Sequence, residues 1–268
     1  MAATLPPMPR PEVIRSTLLA APHAFTTRRG GVSTGIFDSL NFGNPSDLAS
    51  ADRDPPERIH ANFALVLREL ACAGREIVEV HQVHGGDVHI VRRGSPSHPT
   101  PHDTKADGLV TDDPGRVLAI RVADCAPVLL SSEDGFVVGA AHAGWRGIIA
   151  GVVPRTAATM REIGAGRVAA AVGPCISVEH FEVGPEVAAE FDRVFGAGAG
   201  LVRARPGARP TVDLKRAIRL QLEAVGVDRV GVLPHCTFGE PEMFFSHRRD
   251  QGRTGRMVGV IGPRVEGK

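Results

Sequence analysis

The sequence predicts one mixed α/β domain, and three observations carry that expectation. Short apolar runs of strand length alternate with stretches of helical period over most of the chain. No internal repeat and no linker divides it after residue 20. A chain of 268 residues, 43% hydrophobic and 23% charged, has the composition of an ordinary globular protein and is long enough to bury a sizeable core. The formal net charge of +1 supplies no field to recruit nucleic acid or an anionic membrane, so neither is expected as a partner. Cys72, Cys125, Cys175 and Cys236 stand far apart without a C-x-x-C pair. They read as reduced thiols in a cytoplasmic setting rather than as a disulfide framework. The run Leu18–Ala21 stops at Pro22, too short for a signal-peptide core. No stretch approaches the roughly 18 apolar residues of a membrane span.

Residues 1–20, with prolines at 6, 7, 9 and 11, are expected to form a loose tail, and residues 21–268 the domain. Phe25–Ser33 holds Arg28, Arg29 and a Gly pair, which reads as a turn, and Ser39–Gly43 as another. Ile59, Phe63, Val66, Leu67 and Leu70 fall at helical spacing and predict a helix between 55 and 73. Residues 76–84 alternate as a strand, with Val78, Val80, Gln82 and His84 on one face and His81 on the other. The Pro-, His- and Ser-rich stretch 92–104 reads as a loop carrying His98 and His102 as solvated histidines. Order resumes at 106–111. Strands follow at 117–123, 128–130 and 136–141, then a helix over 148–163 and a strand over 167–172. Helices are expected at 185–195 and at 213–225, the latter capped by Asp213, and strands at 229–233 and 257–261.

Three short signatures interrupt this pattern where apolar runs meet turns: H-Q-V-H-G at 81–85, A-D-C-A-P at 123–127 and A-H-A-G-W-R-G at 141–147. They offer His84, Cys125 and His142, two imidazoles and a thiol. That donor set suits zinc and leaves its fourth position open for water or substrate. The strand alternation selects His84 over His81, because His84 projects beside Gln82. The same atoms permit a second reading, in which Cys125 is a nucleophile, His142 its base, and Asp124 or Asp107 the group that orients the imidazole. Cys175 and Cys236 read as buried small hydrophobes. The arginines of Phe244–Asp250 and Arg256 suit phosphate or carboxylate recognition.

In order along residues 23–262 stand F-T-T-R-R-G-G-V-S, S-L-N-F-G, Q-V-H-G, A-D-G-L-V-T-D, A-D-C, A-H-A-G-W-R-G, V-G-P-C-I and F-F-S-H-R-R-D with T-G-R-M. This set resembles the bacterial laccase-domain or polyphenol-oxidase-like family, viewed as purine nucleoside phosphorylases related to the human macrophage immunometabolism regulator. The resemblance implies a single α/β domain with a mixed β-sheet core flanked by helices, cysteine-hydrolase-like in its grouping. It implies one zinc ion per chain on His84, Cys125 and His142. It implies phosphorolysis of adenosine, inosine, guanosine and methylthioadenosine, together with adenosine deamination. Purine nucleosides and phosphate are then the partners of a monomer or homodimer.

On the matching motifs, Cys125, Asp124 and Arg146 are the candidate catalytic residues, and Arg28, Asn41, Gln82 and Arg248 the candidate substrate-binding ones. Arg28 and Arg146 would hold phosphate, and Asp124 would orient a ligand or relay a proton. The alternative activity is a Cys-dependent or zinc amidase that edits a peptidoglycan precursor. The family's earlier assignment, copper-dependent phenol oxidation, needs several copper centres, and the chain has no H-x-H pair to build them. Zinc has no redox chemistry of its own, so copper is at most an adventitious occupant. The sequence departs from the family pattern at Asn62-Phe63, where N-R is usual, and at His180, where a cysteine is common.

Overall fold

A computed structural model of the chain describes residues 9–96 and 103–265. Its strands are β1 (Val13–Ile14), β2 (His23–Thr26), β3 (Glu76–Val78), β4 (Val88–Val91), β5 (Gly108–Thr111), β6 (Arg116–Val122) and β7 (Ala126–Ser132), then β8 (Val138–Ala143), β9 (Val168–Val172), β10 (Val202–Arg203), β11 (Thr211–Val212), β12 (Arg229–Val232) and β13 (Met257–Ile261). Its α-helices are α1 (Pro56–Glu69), α2 (Trp145–Ile149), α3 (Val152–Glu162), α4 (Pro185–Phe195) and α5 (Leu214–Ala224). Two mixed sheets result, with strand orders β1-β2-β13-β6-β3 and β12-β9-β7-β8-β5-β4. The pairs β3/β6, β12/β9 and β4/β5 are parallel and the others within these two sheets antiparallel.

Strand β7 is apolar throughout most of its length because both of its faces are covered. Val128 and Leu130 pack with Ile148, Val153, Phe191 and Ile218, one residue from each of α2 to α5. Leu129, between them, points the other way, onto Leu118 and Ile120 of β6 and onto Phe25. The two sheets therefore stack face to face. The outer face of the five-stranded sheet, through Ala119, Val258 and Val260, meets Phe63 and Val66 of α1. The order of layers is helix, sheet, sheet, helices.

Helix α1 opens with proline in its first turn, whose missing N–H costs nothing there, and carries Glu57 in its first turn and Arg68 in its last. Asp213 caps α5 by accepting from the Arg216 N–H at 2.9 Å. Among the described residues no helix is long and apolar enough to cross a membrane.

Four local expectations change. The helix expected over 148–163 is two helices, broken at Gly151, whose φ of 78° is left-handed. The strand expected over 76–84 ends at Val78, and beyond it His81 makes only an isolated bridge to Lys105. The reason is tertiary: the N–H groups of Val83, His84 and Gly85 turn to one carboxylate, Asp107, instead of a neighbouring strand. Strands β1, β2, β4, β10 and β11 were not anticipated. The tail expected over 1–20 is tied down within its described part, for β1 pairs with β2 and Arg10 and Arg15 both reach Glu69. His98 and His102, with residues 1–8, lie outside the described residues.

Candidate metal centre

Cys125 and His84 come from two separate turns and His142 from the end of strand β8, and backbone geometry brings them together. Asp124 stands just before β7 with φ 82°, a conformation that costs a non-glycine residue energy. Its carboxylate offsets that cost by accepting from Thr237 Oγ1 (2.6 Å), Ser246 Oγ (3.0 Å) and the Arg248 N–H (2.6 Å). The resulting turn presents Cys125 beside the end of β8, where His142 lies in register with Pro127. Gly144 completes the approach: a Cβ there would sit 2.9 Å from Cys125 Sγ and 3.1 Å from His84 Cδ2. His84 itself has φ 61°.

Asp107 gathers these pieces. Wholly buried, its carboxylate accepts from the N–H groups of Val83 (3.1 Å), His84 (2.9 Å) and Gly85 (2.6 Å) and pairs with His142 Nδ1 at 2.7 Å. An ionised carboxylate only accepts, so Nδ1 carries the proton and Nε2 is free to ligate or to take a proton. Of the two aspartates considered from sequence, Asp107 therefore orients the imidazole. Asp124 spends its oxygens on the segment 237–248 instead.

One ligand atom from each of His84, Cys125 and His142 lies within 4.8 Å of the other two, and the imidazole centroids are 4.7 Å apart. Burial alone would raise the Cys125 thiol, but the charge and hydrogen bonds of His142 and His84 outweigh it and bring it down to about 6. Burial would likewise lower His142, yet Cys125 and Asp107 push it up to about 9. Burial opposes ionisation of Asp107 as well, and His142 with the Gly85 and His84 N–H groups reverses the sign and holds its carboxyl below the usual range. A thiolate and two imidazoles, one braced by a carboxylate, are a donor set that fits a borderline-soft metal ion. The chain Asp107–His142–Cys125 is also the hydrogen-bonding order of an activated cysteine.

The cluster opens into a cleft of about 570 Å³. Gln82 lines it, its side chain bonding both the N–H (2.9 Å) and the carbonyl (2.8 Å) of Arg121 as a neighbouring strand would. His81 lines it too, so the two-face argument that chose His84 does not separate them, although His84 alone of the pair joins the cluster. Five of the candidate catalytic and substrate-binding residues do not line this cleft, Asp124 and four others. Arg28 donates to the carbonyls of Asp38 (2.9 Å) and Pro241 (3.1 Å) and stacks over Phe245. Asn41 is buried, bonding Asp54 through its amide and accepting from the Arg256 N–H. Arg146 is exposed on α2, over the Trp145 ring. The Arg248 guanidinium bonds the Glu182 carbonyl (2.9 Å) and lines a different hollow, with Trp145, Phe181 and Arg209.

Sequence reasoning missed Arg53, Arg121, Asp47 and His247, all of which line the cleft, as does Arg256, which the sequence marked for phosphate or carboxylate recognition. An arginine inside the apolar strand before Cys125 was a signal for Arg121; nothing local marked the others. Burial holds Cys175 up at about 12, in keeping with a structural thiol.

The sequence family described as multi-copper polyphenol oxidoreductase laccase matches residues 22–264. Over 268 residues the chain is 41% identical to a Deinococcus radiodurans protein named purine nucleoside phosphorylase, covering 99% of this chain and 97% of that one. It is 37% identical over 239 residues to Escherichia coli YfiH, also named purine nucleoside phosphorylase, covering 88% and 91%. Its fold matches the crystal structure of YlmD from Geobacillus stearothermophilus with a TM-score of 0.82 at 33% identity, covering 97% of this chain and 100% of that one. A Neisseria meningitidis protein matches with a TM-score of 0.79 at 32% identity, covering 96% and 100%. With the motifs, the fold and nearly the whole length in agreement, this chain belongs to the multi-copper polyphenol oxidoreductase laccase family, the family of the YfiH proteins.

Proposed function

We propose that the chain is a purine nucleoside phosphorylase, converting nucleoside and phosphate to free base and ribose-1-phosphate at one zinc ion held by His84, Cys125 and His142. The observation that carries this reading is the three-donor cluster, braced by Asp107, at the floor of a basic cleft. The names of the D. radiodurans and E. coli relatives, matched over nearly their whole length, point the same way. Three donors make one metal site, which argues against multicopper oxidation. When bound, zinc supplies Lewis-acid polarisation of a substrate atom.

The chain's own residues do the rest. Asp107 keeps the His142 proton on Nδ1. Cys125 serves as a thiolate that is not consumed. The cleft has the volume of a small-molecule site, and its three arginines against one aspartate favour an anionic co-substrate. The departing base needs a proton, and the imidazoles of His81 and His247 line the cleft where it would leave. Adenosine deamination belongs to the same reading as a second activity.

Asp107–His142–Cys125 favours one alternative, a cysteine amidase acting on a peptidoglycan precursor. Mass spectrometry of products formed from adenosine, with and without phosphate, separates the two. Adenine with ribose-1-phosphate supports phosphorolysis, and inosine supports deamination. Neither product, together with cleavage of a cell-wall precursor, overturns the proposal in favour of the amidase.

A further inference from the structure

The cleft contains two arginines, Arg121 and Arg256, that are not among the three candidate ligands. Arg256 is half-buried in the wall, and its NH1 donates to the carbonyls of Thr254 and Gly255, both at 3.0 Å. Among the described residues no carboxylate comes within 4.0 Å of its guanidinium, and its Nε and NH2 have no acceptor. Arg121 stands in the same wall with Glu79 as its acidic partner at 3.2 Å. Arg53 differs, since it spends Nε and NH2 on the carbonyls of Leu48 and Ser46.

The fold holds both arginines by their backbones. The Gln82 amide pins Arg121, and Asn41 Oδ1 accepts the Arg256 N–H at 2.8 Å while the Asn41 amide is anchored on buried Asp54. Gly43 separates them: a Cβ there would lie 3.2 Å from Arg121 Cδ, 3.4 Å from its NH1 and 3.6 Å from Arg256 Cγ. A side chain there would press Arg121 aside by a few tenths of an ångström and only touch Arg256. Arg121 has Glu79 as a partner and Arg256 feels Cys125, Asp124 and Asp47 only through space, so the wall still offers unspent guanidinium N–H groups to an anion in the cleft. Guanidinium forks suit oxyanions, carboxylate or phosphate, through paired N–H···O bonds.

We propose that Arg121 and Arg256, set apart by Gly43, form the oxyanion subsite of the cleft and take inorganic phosphate there. Phosphate's part as a reactant rests on the phosphorylase reading; its binding does not. In the reaction, a phosphate oxygen held on this pair forms the bond to ribose C1′ as the bond from C1′ to the purine nitrogen breaks. The electron pair leaves with the base, which takes up a proton. Arg28 and Arg146, off the cleft, have no part in holding phosphate.

Calorimetric titration of the zinc-loaded full-length protein with inorganic phosphate tests the subsite directly. Wild type binds phosphate, and Arg256→Met and Arg121→Met each weaken it at least tenfold, about 1.4 kcal/mol. Arg219→Met, on the surface of α5, leaves it unchanged. Gly43→Ala keeps both guanidiniums but crowds Arg121, and weakens phosphate several-fold; it decides the matter if the arginine variants do not fold. In turnover the KM for phosphate rises in proportion while the KM for nucleoside stays within about twofold. Absence of phosphate binding in wild type, or undiminished binding in the variants, overturns the subsite. Binding lost in the variants, with no phosphate-dependent product from wild type, leaves the subsite standing and sinks the phosphorylase reading instead.

Discussion

Asp107→Asn is the smallest change that attacks the centre without touching a ligand atom. Its Oδ1 serves the His84 N–H and His142 Nδ1, and its Oδ2 serves the N–H groups of Val83 and Gly85. An asparagine keeps one oxygen and replaces the other with a donor, so whichever way it lies, two donors face an amide NH₂. At about 1–3 kcal/mol for each stranded group, taken at the low end because the turn is partly exposed, the fold loses about 2–4 kcal/mol. For a chain of this size that lowers the melting temperature of the metal-free protein by about 4–16 °C.

The chemical effect is sharper. If the amide NH₂ faces His142, Nδ1 must accept, and the proton moves to Nε2, the atom a metal would need. Removing the partner that orients a ligating histidine costs about 10–100-fold in metal affinity. Competition with a chelator of known affinity measures that loss, and a thermal melt the first. Zinc affinity and melting temperature both equal to wild type would refute the reasoning.

Other consequences follow from the same geometry. His84→Ala is expected to remove most of the bound zinc and His81→Ala to retain it, as metal content per chain will report; equal loss from both would remove the distinction between these neighbours. In metal-free protein, alkylation of Cys125 by iodoacetamide should rise with a midpoint near the thiol's value of about 6, and His142→Ala should move that midpoint upward. A midpoint at the ordinary thiol value contradicts the thiolate–imidazolium pair. The depressed Cys125 value makes the pair's stabilisation fade as pH falls through about 6, and the raised His142 value makes it fade as pH rises through about 9. Melts of the metal-free protein should therefore show this contribution greatest between the two. Asp124→Asn should cost about 1–3 kcal/mol of stability for the weakened grip on Thr237, Ser246 and the Arg248 N–H, seen as a lower melting temperature, yet keep its zinc and most turnover. Loss of turnover without loss of stability would restore Asp124 as a proton relay.

What could be read from the sequence was whatever local pattern decides. Helices α4 and α5 appear within a residue or so of their expected spans, because proline starts the one and Asp213 caps the other. Strand β13 appears at its expected bounds, as an unbroken apolar run. The three candidate ligands were legible because each sits in a dense motif, Cys125 and His142 beside strand ends and His84 in a turn. Residues 79–84 misled because their alternation is real, but Asp107, 23 residues beyond His84, takes the N–H groups a strand partner would need. Strand β2 escaped because all four of its residues are buried, His23 and Thr26 among them, so no alternation marks it. The arginines were the least legible. Arg28, Arg146 and Arg248 are spent on carbonyls and aromatic rings, while Arg121 and Arg256 reach the cleft through pairings with Gln82 and Asn41 that only the tertiary fold creates.

The most direct test of the account is zinc removal and restoration while ribose-1-phosphate is followed. Full-length protein is stripped by a chelator until metal analysis finds none, then assayed with inosine and phosphate before and after one equivalent of zinc is returned. The account predicts no ribose-1-phosphate from the stripped protein, recovery with zinc, and an unmodified Cys125 mass throughout. Turnover that survives complete metal removal, with a substrate fragment attached to Cys125, would contradict it.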